Sequence, residues 1–387
     1  MNILYLVPKR PMLNRIRQFL HDQQPPSPCL ILDRESVRVK YHAFARVLPD
    51  SRVFYAIKAN PAPALLELLV KLGSCFDCAS IPEIDMALAA GATPEQISYG
   101  NTIKKEADIA AAHARGIRLF AIDCREEAEK IARAAPGARV FCRILSECVG
   151  AEWPLSRKFG CTPNLAVGVL IEADRLGLDA YGISFHVGSQ QPNPDAWDMP
   201  LAAVAAIFHE LGNHGIRPRM VNLGGGFPAH YLTAIPNLET YGRAINQALW
   251  RHFGDQVPET IIEPGRGLVG DAGLIKAEVV LVSRKAEDDP VRWVYLDIGK
   301  FGGLIETLDE AIRYPIHTAR HGDPTTPCIL AGPTCDSADI LYEKTLYELP
   351  VSLVPGDEVL IEGTGAYTTT YASIAFNGFE PLRSYVI

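Results

Sequence analysis

A (β/α)₈ barrel joined to a second, mostly β domain is the fold class this sequence predicts. Three observations predict it. Short β-branched runs alternate with helical stretches eight times in roughly the first 270 residues. A polar residue or a glycine run follows each of the eight apolar runs. After Gly270 the texture changes to strands and tight turns. A doubly wound open sheet shares the rhythm and is the alternative α/β architecture.

The eight strands are expected at 53–57, 75–77, 97–99, 119–122, 140–142, 182–185, 220–223 and 260–262. Amphipathic segments fill the gaps, among them PALLELLVKLG (63–73), PEIDMALAAG (82–91), KKEADIAAAHARG (104–116) and REEAEKIARAAPG (125–137). Each of these ends in glycine, which suits a helix C-terminus. Beyond them LIKAEVVLVSRKA, VRWVYLDIG and VSLVPGDEVLIEG read as strands, with turns at Asp288-Asp289-Pro290 and Pro355-Gly356-Asp357. The barrel is therefore expected over 30–270 and the β domain over 271–387, with 1–29 joining it.

Composition narrows the function classes. The chain has 387 residues, 48% hydrophobic and 21% charged, enough for a large core. Its 37 basic against 45 acidic side chains leave a charge of −8, which argues against nucleic acid or an anionic membrane as partner. No apolar run is long enough to span a bilayer, and the N-terminus reverses the order of a signal peptide. Nine scattered cysteines do not suggest a disulfide framework. Cys75 and Cys78 form one CxxC within a strand, where three steps face them apart, so they read as core and no metal site is expected. A soluble protein, expected in the cytoplasm, fits these bounds.

Barrel enzymes carry their chemistry at the C-terminal ends of the strands. Those ends hold Lys58, Asp77, Asn101, Asp123, Arg143, His186, Gly224 to Gly226, and Glu263. A lone charge after a strand usually just starts a solvated loop. Eight of eight point instead to an active site. Taken singly, Lys58 reads as an ion-pair partner, but desolvation and nearby cations suit a lysine to Schiff-base chemistry. The run NLGGGFP is either a tight turn or a phosphate cradle of bare N–H groups; it lacks the spacing of a dinucleotide fingerprint. Glu263 pairs with Arg266 or faces a ring nitrogen. His186 is a core histidine or lies against an aromatic ring, with Ser189 beyond it to meet phosphate. Lysine, cradle, acid and stacking histidine together specify pyridoxal 5′-phosphate.

At this point the chain resembles the alanine-racemase-fold (fold-type III) pyridoxal-phosphate decarboxylases, within them the ornithine decarboxylases. The carriers are FYAIKANP (54–61), FDCASIPEI (76–84), SFHVGSQ (184–190), NLGGGFP (222–228), EPGRG (263–267), GPTCDSAD (332–339), GAYT (365–368) and FNGFEP (376–381). The resemblance implies that Lys58 joins the cofactor and that Glu263 partners its pyridine nitrogen. It implies that His186 stacks on the ring, and that Ser189, Gly224, Gly225, Gly226, Arg266 and Tyr367 hold the phosphate. Asp77, Glu83 and Arg143 form a polar network near Lys58. Cys335, as proton donor, and Asp336, as reader of a distal ammonium, reach into a partner subunit's site, which implies a homodimer with shared active sites. Phe376 lines the substrate pocket.

One segment departs from the animal and protozoan pattern. In LDIGKFGGLIETLDEAIRYP (296–315), Phe301 stands where a tyrosine is usual, and Asp309 or Glu310 where an aspartate is. The segment is similar to the short bacterial enzymes, some of which accept lysine as well as ornithine. The implied reaction is decarboxylation of L-ornithine to putrescine, in polyamine biosynthesis. A dual lysine/ornithine activity is the second reading. Arginine or diaminopimelate decarboxylation and a non-catalytic cofactor-binding homologue stand behind these. Diaminopimelate enzymes carry CES where this chain has Cys335-Asp336-Ser337.

Overall fold

The computed structural model describes residues 11–152, 158–320 and 322–387. They form two units. One comprises 38–228 and 235–268; the other comprises the described residues up to 37 together with 229–234 and 269–387.

The strands in chain order begin with β1 (Cys29–Leu32), which belongs to the second unit. The next eight, β2 (Ser51–Ala56), β3 (Cys75–Cys78), β4 (Ile97–Tyr99), β5 (Leu119–Ile122), β6 (Arg139–Arg143), β7 (Asp179–Ser184), β8 (Met220–Asn222) and β9 (Glu259–Ile262), close into one barrel. Every neighbouring pair is parallel, and β2 returns to pair with β9. This is the (β/α)₈ architecture the alternation predicts. Phe54, Cys75, Leu119, Ala121, Phe141, Tyr181, Met220 and Ile261 fill the interior. Helices Pro63–Lys71, Ile81–Ala89, Glu106–Ala114 and Arg125–Ala134 occupy the predicted segments. The glycines closing those segments, Gly73, Gly91, Gly116 and Gly137, have φ of 84°, 100°, 90° and 71°. A Cβ disfavours that left-handed conformation, so glycine ends the helix there.

The second unit is built on β10 (Gly273–Ser283), β11 (Arg292–Leu296), β12 (Ile316–Thr318), β13 (Thr325–Ala331), β14 (Ile340–Pro350), β15 (Glu358–Glu362) and β16 (Arg383–Val386). Their order is β12-β15-β10-β11-β13-β14, and β1 pairs with both β10 and β16. Leu30, Ile275, Val294, Leu330, Tyr342 and Ile361 lie in its core. Helix Pro11–Gln23 packs Met12 and Ile16 against Cys29, Ile31 and Leu274, and Arg15 is bridged to Asp33 at 2.6 Å.

Two details differ from the sequence reading. Residues 30–37, expected to open the barrel, lie in the β unit, because Cys29–Leu32 runs antiparallel to Gly273–Lys276 along its whole length. A continuous apolar run looks alike in either kind of sheet. Residues 229–234 also belong to the β unit, where the backbone N–H of His230 donates to Asp271 at 2.7 Å. The first ten residues of the segment expected to join this unit lie outside the described residues. Among the described residues no helix is long and apolar enough to cross a membrane.

Phe54 is 1% exposed inside the barrel. Phe54→Ala is expected to lower the unfolding free energy by about 3–5 kcal/mol through lost transfer and a residual cavity. Denaturant titration of the variant checks this.

Candidate active site

Alternation along the barrel strands positions the site. Side chains two residues apart face the same way. Asp77, Arg143, Asn222 and Glu263 each lie two residues beyond an interior residue, namely Cys75, Phe141, Met220 and Ile261. They form a polar layer directly above the apolar one. Lys58 is carried differently. Its strand stops at Ala56, and a single 3₁₀ turn, Ile57–Ala59, presents the lysine, whose side chain is exposed. The Tyr55 hydroxyl donates to the Asn60 carbonyl at 2.8 Å, which ties the turn to the strand before it.

Asp77 is buried, and the Ser98 hydroxyl donates to it at 3.5 Å. A Cβ on Gly100 would lie 1.8 Å from Asp77 Oδ1, so only glycine leaves room for this carboxylate. Glu83 accepts from the Ala79 N–H at 2.6 Å, while Ser80 caps the helix that carries Glu83. Glu263 receives the Asn222 amide at 2.5 Å. His186 Nδ1 accepts the Gly188 N–H at 3.0 Å, which leaves the ring proton of the neutral form on Nε2. Arg266 Nε donates to the Ser189 hydroxyl at 3.3 Å. In the glycine run, Gly224 and Gly226 have φ of 66° and 102°, and the Gly224 N–H donates to Asn222 Oδ1 at 2.9 Å. A Cβ on Gly225 would stand 2.8 Å from the Glu263 carbonyl and 3.1 Å from His186 Nε2.

Burial and charge then set the protonation states. Burial raises the Asp77 carboxyl, against the pull of Lys58 and Arg143. Burial, with Asp77 added, pushes Glu263 up to about 7, against the Asn222 amide, Lys58 and Arg143. His186 is held well below its usual range by burial, then by Arg143 and Lys58. Glu83 is raised chiefly by burial. The result is a layer of two carboxylates and two cations beside a neutral imidazole. Two other strand-end residues serve loops instead: Asn101 Oδ1 accepts from Ile103 N–H at 3.3 Å and Asp123 from Gly160 N–H at 2.9 Å.

A family model described as the pyridoxal-binding domain of pyridoxal-dependent decarboxylases matches residues 34–270. The chain belongs to that family. The lysine/ornithine decarboxylase of Selenomonas ruminantium is 35% identical to this decarboxylase over 356 residues, 92% of this chain and 88% of that one. A protein named antizyme inhibitor 2, from Xenopus laevis, is 32% identical over 90% of this chain and 78% of its own. Among solved structures, the lysine/ornithine decarboxylase of Vibrio vulnificus complexed with cadaverine has a TM-score of 0.86. It is 29% identical, with 97% of this chain and 98% of that one covered.

The barrel residues of this decarboxylase fit pyridoxal 5′-phosphate. A Cβ on Gly224, Gly225 or Gly226 would lie 2.2, 2.8 or 2.7 Å from the carbonyl of Phe185, Glu263 or Gly188, so only glycine fits this turn, and a turn of bare backbone N–H groups is of the kind that holds a phosphate. Glu263 carries a carboxylate whose proton affinity is raised by burial, the environment in which a protonated ring nitrogen becomes its natural counter-ion. Lys58 presents an exposed amine beside them.

Tyr367, Cys335, Asp336, Asp309, Glu310, Phe301 and Phe376 all lie in the β unit. Tyr367 occupies a left-handed position, φ 58°, after the buried Gly365 and Ala366. Three of the others come together. The rings of Phe301 and Phe376 meet edge to face with centroids 5.4 Å apart, and the Cys335 N–H donates to Asn377 at 2.8 Å. Asp336 is exposed, and its carboxylate accepts the Ala338 N–H at 2.8 Å. Asp309 and Glu310 stand apart from this cluster in their contacts. Glu310 pairs with Arg313 at 2.9 Å and accepts the backbone N–H groups of Glu343, Lys344 and Thr345. Asp309 is 82% exposed, with Lys344 3.1 Å away.

Sequence reasoning missed three residues here. Asn222 was legible from the same alternation that marks Asp77 and Glu263, but the glycine run after it drew the attention. Gly100 has no signal apart from the structure. Asp339 accepts from Lys300 N–H, Thr334 N–H and Thr334 Oγ1 at 2.8, 3.1 and 2.7 Å, holding the turn before Phe301 to the loop before Cys335.

A raised carboxyl destabilises the fold as it ionises, so the Glu263 contribution is lost as pH climbs from about 4.5 through about 7. Glu263→Gln in the cofactor-free protein is therefore expected to melt above the unsubstituted protein at pH 8. The difference should vanish at pH 5, where Glu263 is protonated. Paired thermal melts at the two pH values check the sign.

Proposed function

We propose that this decarboxylase acts on basic amino acids with a distal ammonium, converting L-ornithine to putrescine, with lysine to cadaverine as the second activity. The observation that supports this best is the group of exposed Cys335, Asp336 and Phe376 with half-buried Phe301 in the β unit, where Asp339 ties the turn before Phe301 to the loop before Cys335. It joins an acid, a thiol and two aromatic faces, the parts needed to read a cationic tail and deliver a proton. The Selenomonas relative, named for both substrates, supports the same class. In this reading Cys335 and Asp336 of one copy complete the barrel site of a second, so the working unit is a homodimer.

Pyridoxal 5′-phosphate, when bound, supplies an aldehyde for amine condensation and a ring that accepts the electron pair left as the α-carboxylate departs. Lys58 holds the aldehyde end. Glu263 keeps a proton at the ring nitrogen, without which the ring withdraws electrons poorly. His186, neutral and with Nδ1 occupied by Gly188, offers a flat uncharged face for stacking. Ser189, Arg266 and the glycine run Gly224 to Gly226 receive the phosphate, the run through the N–H groups of Gly225 and Gly226, since the Gly224 N–H is given to Asn222; Tyr367 is assigned there by the family resemblance alone. Asp77 faces both Lys58 and Arg143 and offsets their positive charge. Cys335 delivers a proton to the substrate's α-carbon once carbon dioxide has left.

Discrimination against apolar tails follows from Asp336. Exposed in a single copy, Asp336 becomes desolvated when it closes the site of a second one, and a desolvated carboxylate left without its ammonium costs on the order of 3–5 kcal/mol. Ornithine and lysine differ by one methylene, about 1–3 kcal/mol in a pocket, so preference between them is graded.

The deciding experiment offers ornithine, lysine, arginine and diaminopimelate in competition and identifies the amine products. Putrescine is expected first and cadaverine second. Carbon dioxide from neither ornithine nor lysine overturns the reading, and agmatine as main product replaces it. Asp336→Ala is expected to lose activity on all diamino acids mainly through KM. Cys335→Ala should slow or misdirect the proton delivery while leaving KM near normal.

A further inference from the structure

Asn222 is 1% exposed and uses both ends of its amide. Its Nδ2 donates to Glu263 Oε1 at 2.5 Å and its Oδ1 accepts from the Gly224 N–H at 2.9 Å. The Glu263 N–H in turn donates to the Gly224 carbonyl at 2.8 Å. The three bonds close a ring joining the ends of β8 and β9. Around it, Trp197 Nε1 donates to the Leu223 carbonyl at 3.1 Å and the Gln191 N–H to the Gly226 carbonyl at 2.9 Å.

We propose that Asn222 is a positioning residue of the reaction, fixing the Glu263 carboxylate and the first turn of the glycine run as one unit. The two ends of the cofactor's binding site, for ring nitrogen and for phosphate, are thereby set relative to each other before anything binds. The inference rests on the pyridoxal-phosphate reading of the site.

An amide is required because one short side chain must donate at one atom and accept at another. Aspartate keeps the acceptor for Gly224 and loses the donor for Glu263; alanine loses both. The charged groups facing Glu263 are Asp77 from the end of β3, Lys58 from the turn after β2 and Arg143 from the end of β6. Asn222 is the neutral donor among these neighbours, and its N–H favours the ionised carboxylate. Without it Glu263 takes up a proton more readily and no longer serves as counter-ion to a protonated ring nitrogen.

The test titrates cofactor-free protein, unsubstituted, Asn222→Asp and Asn222→Ala, with two ligands. One is pyridoxal 5′-phosphate and the other its carbocyclic analogue bearing CH in place of the ring nitrogen. Binding is read by fluorescence quenching between pH 6 and 9, and circular dichroism and thermal melts establish that each variant is folded. Asn222→Asp is expected to bind pyridoxal 5′-phosphate about 10- to 100-fold more weakly than the unsubstituted protein, what a hydrogen bond to a charged group is worth. Its affinity for the analogue should stay within about twofold, because the Gly224 contact survives. The acid limb of pyridoxal 5′-phosphate binding should move to higher pH. Asn222→Ala should weaken both ligands, the analogue less.

Equal losses for the two ligands in a folded Asn222→Asp protein overturn the proposal, since a merely structural role acts on both alike. So does unchanged pyridoxal 5′-phosphate binding. If the unsubstituted protein binds neither ligand, the cofactor reading itself fails and takes this inference with it.

Discussion

Two carboxylates, Asp77 and Glu263, share a layer above the apolar barrel interior with Arg143, beside the exposed amine of Lys58, and the arrangement is tolerable only as a set. Asp77 and Glu263 both have their proton affinity raised by burial, and both are opposed by Lys58 and Arg143. Removing one partner from such a group leaves an uncompensated buried charge, far costlier than the intact set. The geometry that enforces this is simple. A closed parallel barrel turns alternate side chains inward, so a polar residue two steps past the apolar layer faces the barrel axis, where Asp77 and Asn222 are buried and Arg143 and Glu263 half-buried.

Such a layer is stored electrostatic organisation. Its donors and acceptors are oriented before a ligand arrives, so little reorganisation remains to be done on binding. The neutral state of His186 belongs to the same field, because Arg143 and Lys58 add to burial in expelling its proton. The glycine run is a separate device with a steric basis. Main chain and imidazole approach Gly225 closely, and a side chain there would displace the elements the site depends on.

Much of this was legible in the sequence because it follows from local periodicity. Eight alternations of strand and helix predicted the barrel, and each predicted strand overlaps an observed one. Helix ends were legible from glycines whose positive φ the structure shows. The residues after the strands were legible as a site because seven of the eight ends carried a polar side chain and the remaining one a glycine run. Asn101 and Asp123 show the limit of that argument, since both hold loops, as lone polar residues usually do. Long-range pairing was not legible: nothing in CLIL says that β1 pairs with β10, some 240 residues away, rather than with β2. Nor was Gly100, whose need for glycine appears only when Asp77 is placed beside it.

The β unit shows the same division. Its strands followed from composition and turn residues, whereas the meeting of Phe301 with Phe376, and of Cys335 with Asn377, was not legible, nor was the role of the buried Asp339, which stands in the motif GPTCDSAD and ties Lys300 to Thr334. Glu310 illustrates the converse, a carboxylate singled out by position that the fold engages with three backbone N–H groups and Arg313. The account as a whole stands on the amine of Lys58 being joined to pyridoxal 5′-phosphate. Borohydride reduction of the cofactor-loaded protein, followed by peptide mapping, tests that directly. The label is predicted on the peptide containing Lys58; a label on another lysine, or on none, would contradict the account.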